Sequence, residues 1–244
     1  MSLTGARIDT LWKGTMPVYL ILKRTLDVFL SGVAFLVISP ILILASVILK
    51  FTGEGEVFFR QERLGRNRKP FMLLKFVTMQ RGSEKVSSVT SPDDPRVLPV
   101  GRVLRKTKIN ELPQLINVIL GDMSIVGFRP LVKESFDLYD DTTRKCLFQM
   151  KPGLTGIGSI VFRDEEELIR QSPKEKMRFY EEDIAPLKGA LELWYFNNRS
   201  FMLDLKIIFA TALILVAGDS KFYLRWFDLR AIMEKSTLGR ELLN

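Results

Sequence analysis

Residues suited to phosphate chemistry gather near the middle of the chain, around Glu111. Asn110 and Glu111 open a segment with helical spacing, and Arg129 follows nearby. A helix N-terminus offers free N–H groups and partial positive charge, and both suit a phosphate. Basic side chains and a Mg²⁺ ion held by a carboxylate can stabilise charge during phosphoryl transfer. We predict a phosphate-handling site here, although the same residues also describe a helix that is only well capped.

The spacing of apolar residues predicts the helix itself. Asn110 is the predicted N-cap, Pro113 lies in the first turn, and Gly121 is predicted to end the helix. Apolar residues then recur at helical period and predict one buried face. That face comprises Leu112, Leu115, Ile116, Ile119 and Leu120.

Composition limits the chemistry that is available. The chain has no histidine, which excludes a histidine base and histidine metal ligands. Lysine and arginine outnumber aspartate and glutamate by 36 to 28, which favours partners that carry phosphate. Cys146 is the single cysteine, so no intramolecular disulfide is possible and a reducing compartment is indicated. No nucleic-acid-binding motif is present, and we do not expect nucleic acid as a partner.

A long uncharged segment precedes the predicted site. The 22 residues of Val28–Leu49 carry no charge and would form a helix about 33 Å long, enough to cross a hydrocarbon core. Ser39 and Pro40 lie in its middle, and Pro40 predicts a kink or break because it lacks an N–H. Basic residues flank both ends, and such flanks are retained in the cytoplasm. The residues alone leave two interpretations open, a re-entrant hairpin and a kinked transmembrane helix.

The segments that follow must position the candidate site. Residues 54–79 predict a pair of short strands, in which Lys75 is surrounded by apolar residues. Burying Lys75 requires an anionic partner, either a structural carboxylate or a substrate phosphate. A helix is predicted over 173–198, and the acids Glu165–Glu167 should start another helix and be mostly solvated. Ile207–Ala217 is too short to span a membrane and predicts either a core helix or an interfacial helix.

A series of ordered motifs runs along most of the chain. They are Lys23-Arg24 with Asp27, Ser39-Pro40, Val57 to Gln61 with Gly65, Lys75-Phe76-x-Thr78-Met79, Glu111 to Leu115 with Asn117-Val118, Gly121 to Ser124, Arg129-Pro130, Pro152 to Gly156, and Ser200-Phe201-x-x-Asp204-Leu205-Lys206. From about Leu22 to Ile208 the chain thereby resembles the bacterial sugar transferase family, the monotopic phosphoglycosyl transferases.

The resemblance implies a fold that is mainly α with a few short strands. A re-entrant membrane helix-break-helix, broken at Ser39 and Pro40, would pack on a small cytoplasmic α/β catalytic domain with interfacial helices. The expected division is an N-terminal extension at 1–21, the re-entrant hairpin at 22–52, the catalytic domain at 53–199 and C-terminal interfacial helices at 200–244. The implied location is the cytoplasmic face of the bacterial inner membrane.

The resemblance also implies a reaction. A phosphosugar would pass from a UDP-sugar to undecaprenyl phosphate, a polyprenyl phosphate, with release of UMP and with Mg²⁺ as the cofactor. This step initiates the assembly of a surface polysaccharide or glycoconjugate. The expected partners are the UDP-sugar, undecaprenyl phosphate, membrane lipids and a second copy of the chain in a homodimer.

The family's central helix opens with an Asp-Glu pair, whose Asp attacks the β-phosphate and forms a covalent phosphosugar-enzyme. The pair in this chain is Asn110-Glu111. The resemblance implies that Glu111 is the catalytic carboxylate and Mg²⁺ ligand, and that Asn110 occupies the nucleophile position. It further implies phosphate contacts from Lys75, Arg105 and Arg129, and supporting roles for Asp122 and Asp204. A helix cap before Leu205 is the alternative for Asp204.

Position 110 is the main departure from the family's pattern, because an amide is a poor nucleophile and a poor Mg²⁺ ligand. Three interpretations follow. In the first, Asn110 is a substitution that traps an inactive form. In the second, Glu111 is the nucleophile, or the phosphosugar passes directly to the acceptor phosphate. In the third, the chain is an impaired member of the family that acts as a membrane-associated binding or scaffold protein. Val77 and Phe128 also depart from the family's usual basic residue and proline, which affects the phosphate contacts rather than the fold.

Overall fold

The computed structural model describes residues 5–52, 55–83, 94–217 and 221–243, with side chains described from residue 17 onwards. The described part is mainly helical with a few short strands, as predicted. The helices are α1 (Gly5–Thr52), α2 (Pro99–Lys106), α3 (Gln114–Leu120), α4 (Lys133–Asp137), α5 (Asp141–Leu147), α6 (Ile157–Val161), α7 (Glu165–Gln171), α8 (Lys176–Phe179), α9 (Ala185–Asn198), α10 (Phe201–Ala217), α11 (Tyr223–Trp226), α12 (Arg230–Met233) and α13 (Thr237–Leu243). The strands are β1 (Phe58–Leu64), β2 (Pro70–Phe76), β3 (Ser124–Val126) and β4 (Gly153–Thr155).

Helix α1 includes an apolar segment, Pro17–Thr52, that is long enough to cross a membrane. The predicted kink at Ser39 and Pro40 stays a prediction. The secondary structure shows no complete break there, because α1 continues through both residues. The physical reason is a local replacement of the missing hydrogen bond. Pro40 cannot donate to the carbonyl of Leu36, four residues earlier, and Ser39 Oγ donates to that carbonyl instead at 2.8 Å. The helix also joins the predicted 1–21 extension to the predicted membrane segment.

Helix α1 contacts the rest of the protein on both sides of its most exposed stretch. On the N-terminal side, buried Asp27 accepts hydrogen bonds from Ser124 Oγ at 3.1 Å and from Ile125 N at 2.9 Å. On the C-terminal side, Leu49 belongs to a small apolar cluster with Phe76 and others. Between these contacts many apolar side chains of α1 are exposed.

Two adjacent basic residues fix the N-terminal side of α1. Lys23 Nζ donates to Asp204 Oδ2 and to the carbonyl of Val126, both at 2.8 Å. Arg24 donates to the carbonyls of Val118 and Ile119 at 2.6 and 2.7 Å, at the C-terminal end of α3. The Val118 carbonyl also accepts a hydrogen bond from Gly121 N at 3.1 Å, so Arg24 adds a charged donor at the C-terminal end of α3, where cations are favoured.

The predicted pair of strands is confirmed. β1 and β2 form an antiparallel hairpin in which Phe59 pairs with Lys75. Alternation along β1 exposes Arg60 and Glu62, whereas Gln61 and Arg63 are partly buried on the other face. A second, parallel pair joins β3 to β4.

The central helix begins later than predicted. Asn110 lies in a single 3₁₀ turn, Ile109–Glu111, and α3 begins only at Gln114, so the prediction of Asn110 as N-cap is wrong. Lys108 enters this turn with a left-handed φ of 59°, which separates the turn from the preceding helix. Gly121, with φ 98°, ends α3 as predicted.

The buried face of α3 is also shifted from the predicted one. Leu115 and Val118 are buried together with the polar Gln114 and Asn117, whereas Leu120 is 71% exposed. Asn117 Oδ1 accepts from Leu74 N and its Nδ2 donates to the Met72 carbonyl, so this polar side chain ties α3 to β2.

The helix predicted over 173–198 is observed as α8 and α9, joined by a π-helical turn at Tyr180–Ile184. Helix α10 has the buried face of a core helix, whereas the predicted position at a membrane interface stays a prediction. Its Ile207 and Ala210 are fully buried, whereas Phe209 and Val216 are 54% and 89% exposed, so one face packs in the core and the other is free and apolar.

Candidate active site

A cleft of about 340 Å³ lies against the β1–β2 hairpin and the 3₁₀ turn before α3. Among the described residues, seven basic and four acidic side chains line it. The excess of basic groups suits an anionic ligand. Lys75, Arg105, Asn110, Glu111 and Arg129 all line the cleft, so the structure brings together most of the residues that the sequence singled out.

Glu111 is the centre of the charges in the cleft. Its Oε1 accepts hydrogen bonds from Lys75 Nζ at 3.2 Å and from Arg129 Nη2 at 2.9 Å. Lys75 comes from β2, Glu111 from the 3₁₀ turn and Arg129 from the segment after β3. Burial alone would raise the pKa of Glu111, but Arg129 and Lys75 outweigh burial and hold this pKa well below its usual range. Glu111 is therefore ionised, and it is the carboxylate partner that the partly buried Lys75 requires.

The two nearest basic residues have lowered pKa values. Burial lowers the pKa of Lys75 to about 8, against the opposing effect of Glu111. Burial and the neighbouring Arg129 lower the pKa of Arg63 to about 10. Both remain charged at neutral pH, and each has a strong tendency to take up an additional anion.

Arg63 is a site residue that the sequence analysis did not select. It donates to the Pro130 carbonyl at 3.1 Å and to Gln61 Oε1 at 2.5 Å. Its buried Nε has no hydrogen-bond partner in the described part of the chain. The signal that could have identified it is the period of two in β1, which places Arg63 on the same face as Phe59, the partner of Lys75.

Asn110 is 8% exposed and lines the cleft beside Glu111. Within the described residues its Oδ1 has no hydrogen-bond partner. A buried polar atom without a partner lowers the stability of the fold by about 1–3 kcal/mol. This oxygen would therefore gain from a hydrogen-bond donor or a cation bound in the cleft.

The acids at the start of α7 are the second group that the sequence analysis misjudged. Glu166 pairs with Arg105 but stays 41% exposed, whereas Glu165 pairs with Lys188 and is only 25% exposed, so the prediction that Glu165–Glu167 are mostly solvated is wrong for Glu165. Glu165 and Glu166 both line the cleft. Only long-range packing of α7 reveals this, because the local sequence is that of an ordinary acidic helix start.

Asp122 and Asp204 do not line the cleft. Asp204 is 1% exposed and accepts hydrogen bonds from Lys23, from Tyr195 at 2.6 Å and from Tyr19 at 3.0 Å. It therefore joins α1, α9 and α10. The alternative role as a helix cap belongs instead to Ser200, whose Oγ accepts from Leu203 N.

The cleft offers few ligands for a divalent cation. The described residues contain no group of three or more acidic, cysteine or histidine side chains that could hold a metal. Glu111 and Asn110 Oδ1 provide one carboxylate and one free amide oxygen. Mg²⁺ commonly uses one or two carboxylates and completes its shell with water and substrate phosphates. Because Lys75 and Arg129 already compensate Glu111, this donor set fits an ion that enters together with a diphosphate.

Comparison with known proteins adds independent information. A family model described as bacterial sugar transferase matches residues 18–218. The chain is 36% identical over 205 residues to the exopolysaccharide production protein ExoY of Rhizobium meliloti (strain 1021), covering 78% of this chain and 83% of that protein. It is 35% identical over 195 residues to the UDP-glucose:undecaprenyl-phosphate glucose-1-phosphate transferase of Escherichia coli (strain K12), covering 78% and 39%. It is 30% identical over 227 residues to the UDP-N-acetylgalactosamine-undecaprenyl-phosphate N-acetylgalactosaminephosphotransferase of Aeromonas hydrophila, covering 89% and 50%.

Proposed function

Because the chain belongs to the bacterial sugar transferase family, we propose that it transfers a phosphosugar from a UDP-sugar to undecaprenyl phosphate and releases UMP. The observation that carries this proposal is the convergence of Lys75 and Arg129 on Glu111 in a basic cleft. The printed names of two relatives specify a UDP-sugar and undecaprenyl phosphate, which supports these substrate classes.

The residues of the cleft would act mainly through fixed charge. Lys75, Arg63 and Arg129 are held in place before the substrate binds, so they need little reorganisation to bind the oxygens of a diphosphate. Glu111 supplies the negative charge that keeps Lys75 and Arg129 in position in the free protein. In the substrate complex the phosphate oxygens take over part of that role.

We propose Mg²⁺ as the cofactor, held by Glu111 together with the substrate phosphates, while the neutral Asn110 Oδ1 adds a weaker oxygen ligand. When bound, the ion would neutralise charge on the transferred phosphoryl group. The basic surroundings oppose binding of a free dication, so Mg²⁺ affinity should depend on the presence of the nucleotide.

The amide at position 110 makes direct transfer the simplest chemistry. An oxygen of the acceptor phosphate attacks the β-phosphorus of the UDP-sugar, the bond between that phosphorus and the UMP oxygen breaks, and UMP leaves with the bonding electrons. Asn110 takes no covalent part in this scheme. A second candidate function is favoured by the same residue: an inactive, membrane-associated protein that binds nucleotide sugar or lipid phosphate.

We propose that α1 enters the cytoplasmic face of the bacterial inner membrane as a re-entrant hairpin. Its contacts at Asp27 and at Leu49, on either side of exposed apolar residues, support a path that returns to the same protein surface. The exposed apolar face of α10 supports a second contact with membrane lipids. The homodimer remains a prediction, which the mass of the detergent-solubilised protein would check.

The test uses the full chain in lipid particles with undecaprenyl phosphate, Mg²⁺ and a panel of UDP-sugars. We expect UMP release with at least one UDP-sugar, and loss of that release when undecaprenyl phosphate is omitted. The matched variant is Asn110→Asp, which changes an amide to a nearly isosteric carboxylate. No release by the unchanged chain with any UDP-sugar, together with release by Asn110→Asp, would contradict the proposed activity and favour the binding protein.

A further inference from the structure

A second ion pair lies in the wall of the cleft, apart from Glu111. Lys188 Nζ, in α9, donates a hydrogen bond to Glu165 Oε2, at the start of α7, and both residues line the cleft. The side chain of Lys188 is 5% exposed and that of Glu165 is 25% exposed. The lysine therefore belongs to the wall, whereas the carboxylate reaches the space where a ligand would bind.

Lys188 holds Glu165 in position from the buried side of the cleft wall. The ammonium group of Lys188 also lies 5.2 Å from the centre of the Phe162 ring and 5.5 Å from that of Tyr180, within the range of cation–π attraction. Glu192 lies one turn further along α9 and is also buried. Burial raises the pKa of Glu192 to about 8, and the carboxylate that contacts Lys188 is that of Glu165.

Glu165 is also linked to the diphosphate-binding part of the cleft. Arg129 interacts most strongly with Glu111, and Glu165 is the next carboxylate that acts on it. A diphosphate bound by Lys75, Arg63 and Arg129 would therefore place one of its substituents beside Glu165. In a nucleotide sugar each substituent of the diphosphate carries a sugar ring.

The groups around Glu165 suit the recognition of hydroxyl groups. An ionised carboxylate accepts several hydrogen bonds, and Lys188 occupies only Oε2. The hydroxyl-bearing side chains of Tyr180 and Ser135 line the same cleft, and Ile169 adds an apolar surface. A cleft that offers a carboxylate, hydroxyl groups and an apolar side chain fits a polar ring with adjacent hydroxyls.

We propose that Glu165, held by Lys188, binds adjacent hydroxyl groups of a sugar ring in the nucleotide sugar. The inference rests on the proposed function, because the bound diphosphate defines where the ring lies. Both the transferred sugar and the ribose carry such hydroxyls, and the experiment distinguishes them. Glu165 thereby becomes a residue that determines substrate affinity and, if the ring is the transferred sugar, specificity.

The test compares Glu165→Gln with the control Glu167→Gln in the full chain. Glu167 belongs to the same helix but forms an exposed pair with Arg170 outside the cleft. Calorimetric titrations use UDP-glucose, UDP-N-acetylgalactosamine, UDP and 2′-deoxy-UDP. We expect Glu165→Gln to weaken binding of a UDP-sugar about tenfold or more, and Glu167→Gln to leave it unchanged.

The nucleotides without sugar identify the ring. Unchanged affinity of Glu165→Gln for UDP assigns the contact to the transferred sugar. The contact is assigned to the ribose by two results together. Glu165→Gln then binds UDP more weakly than the unchanged chain does, by the same factor as for the UDP-sugar, and the two proteins bind 2′-deoxy-UDP equally well. Wild-type affinity of Glu165→Gln for all four compounds would overturn the proposal.

A second variant separates ligand binding from folding. Glu165→Gln leaves the charge of Lys188 buried without its partner, whereas Glu165→Gln combined with Lys188→Met removes both charges. The double variant should fold and still bind the UDP-sugar weakly. If it binds the UDP-sugar as tightly as the wild type does, the Glu165–Lys188 pair serves folding alone and the proposal is overturned. If the unchanged chain binds UDP-sugar but releases no UMP, only the proposed function fails. If it releases UMP and Glu165→Gln keeps its KM, only this inference fails.

Discussion

Glu111, Lys75 and Arg129 keep their charges in the cleft because each compensates another. The pKa of Glu111 is well below its usual range, and that of Lys75 is lowered to about 8 by burial. Glu111 is thus ionised at every pH at which the protein would be assayed, whereas Lys75 can lose its proton just above neutrality. We therefore expect Lys75 to set the upper limit of the pH range in which the proposed reaction proceeds.

The value of kcat/KM for the UDP-sugar should fall as the pH rises through about 8, because Lys75 of the free protein becomes neutral there and attracts the diphosphate less. Lys75→Arg keeps the positive charge at higher pH and should move the fall upwards by at least one pH unit. The measurement is the pH dependence of UMP release at low UDP-sugar concentration. An unchanged profile in Lys75→Arg would show that another group titrates.

Glu111→Gln should reduce UMP release by about 100-fold or more, because Lys75 and Arg129 lose the group that positions them. The free energy of unfolding should fall by about 3 kcal/mol, since two partly buried cations are left without their carboxylate. Denaturant unfolding of the solubilised protein measures this loss. Glu234→Gln, which breaks the exposed pair with Arg230, is the control and should change stability by less than about 0.5 kcal/mol. Intact UMP release in Glu111→Gln would reject Glu111 as the catalytic carboxylate.

At the scale of elements, the structure agrees with the sequence-based predictions where a helix or strand follows from local pattern. It differs from them where a boundary or a partner depends on the fold. The period of two predicts the β1–β2 hairpin, and Gly121 ends α3 as its conformational freedom suggests. The start of α3 was missed because Lys108 adopts a left-handed φ, which no local capping rule anticipates. Glu165 was misjudged because its partner, Lys188, lies 23 residues further along the chain.

Asp204 illustrates the same limit, because the sequence suggests a link to the site and the structure places it between α1, α9 and α10. Asp204→Asn should lower the free energy of unfolding by about 3 kcal/mol, since Lys23 would lose its buried carboxylate. The KM for the UDP-sugar should stay within about twofold of the unchanged chain, because Asp204 lies outside the cleft. Thermal unfolding and UMP-release kinetics of the same preparation check both statements. A large rise in KM without loss of stability would restore Asp204 to the site.

For the whole molecule, the proposed reaction requires a nucleotide sugar and a lipid phosphate to meet, and the arrangement of α1 relative to the cleft would decide how they do so. In the proposed reaction, the exposed apolar residues of α1 and α10 would contact lipid, and the basic cleft would bind phosphate. Composition predicts both surfaces, because an uncharged run and an excess of basic residues are visible in the sequence.

Both ends of the apolar part of α1 should lie on the cytoplasmic side. Val18→Cys and Thr52→Cys, each in a Cys146→Ser background, place single thiols at exposed positions near the two ends. An impermeant maleimide should label neither thiol in intact spheroplasts and both after permeabilisation. Thr142→Cys, exposed at the start of α5, is the control for the catalytic domain. Labelling of one end from outside would reject the hairpin and establish a transmembrane helix.

Lys23 and Arg24 have a consequence for how the protein is made. Their partners are synthesised much later than α1: Val118 follows Arg24 by 94 residues, and Asp204 follows Lys23 by 181. During translation the two cations therefore emerge long before any group that binds them, and they are available to anionic lipid headgroups at that stage. Once α10 has been synthesised, Asp204 becomes available as the partner of Lys23. This ion pair then joins α10 to α1, the first helix of the described chain.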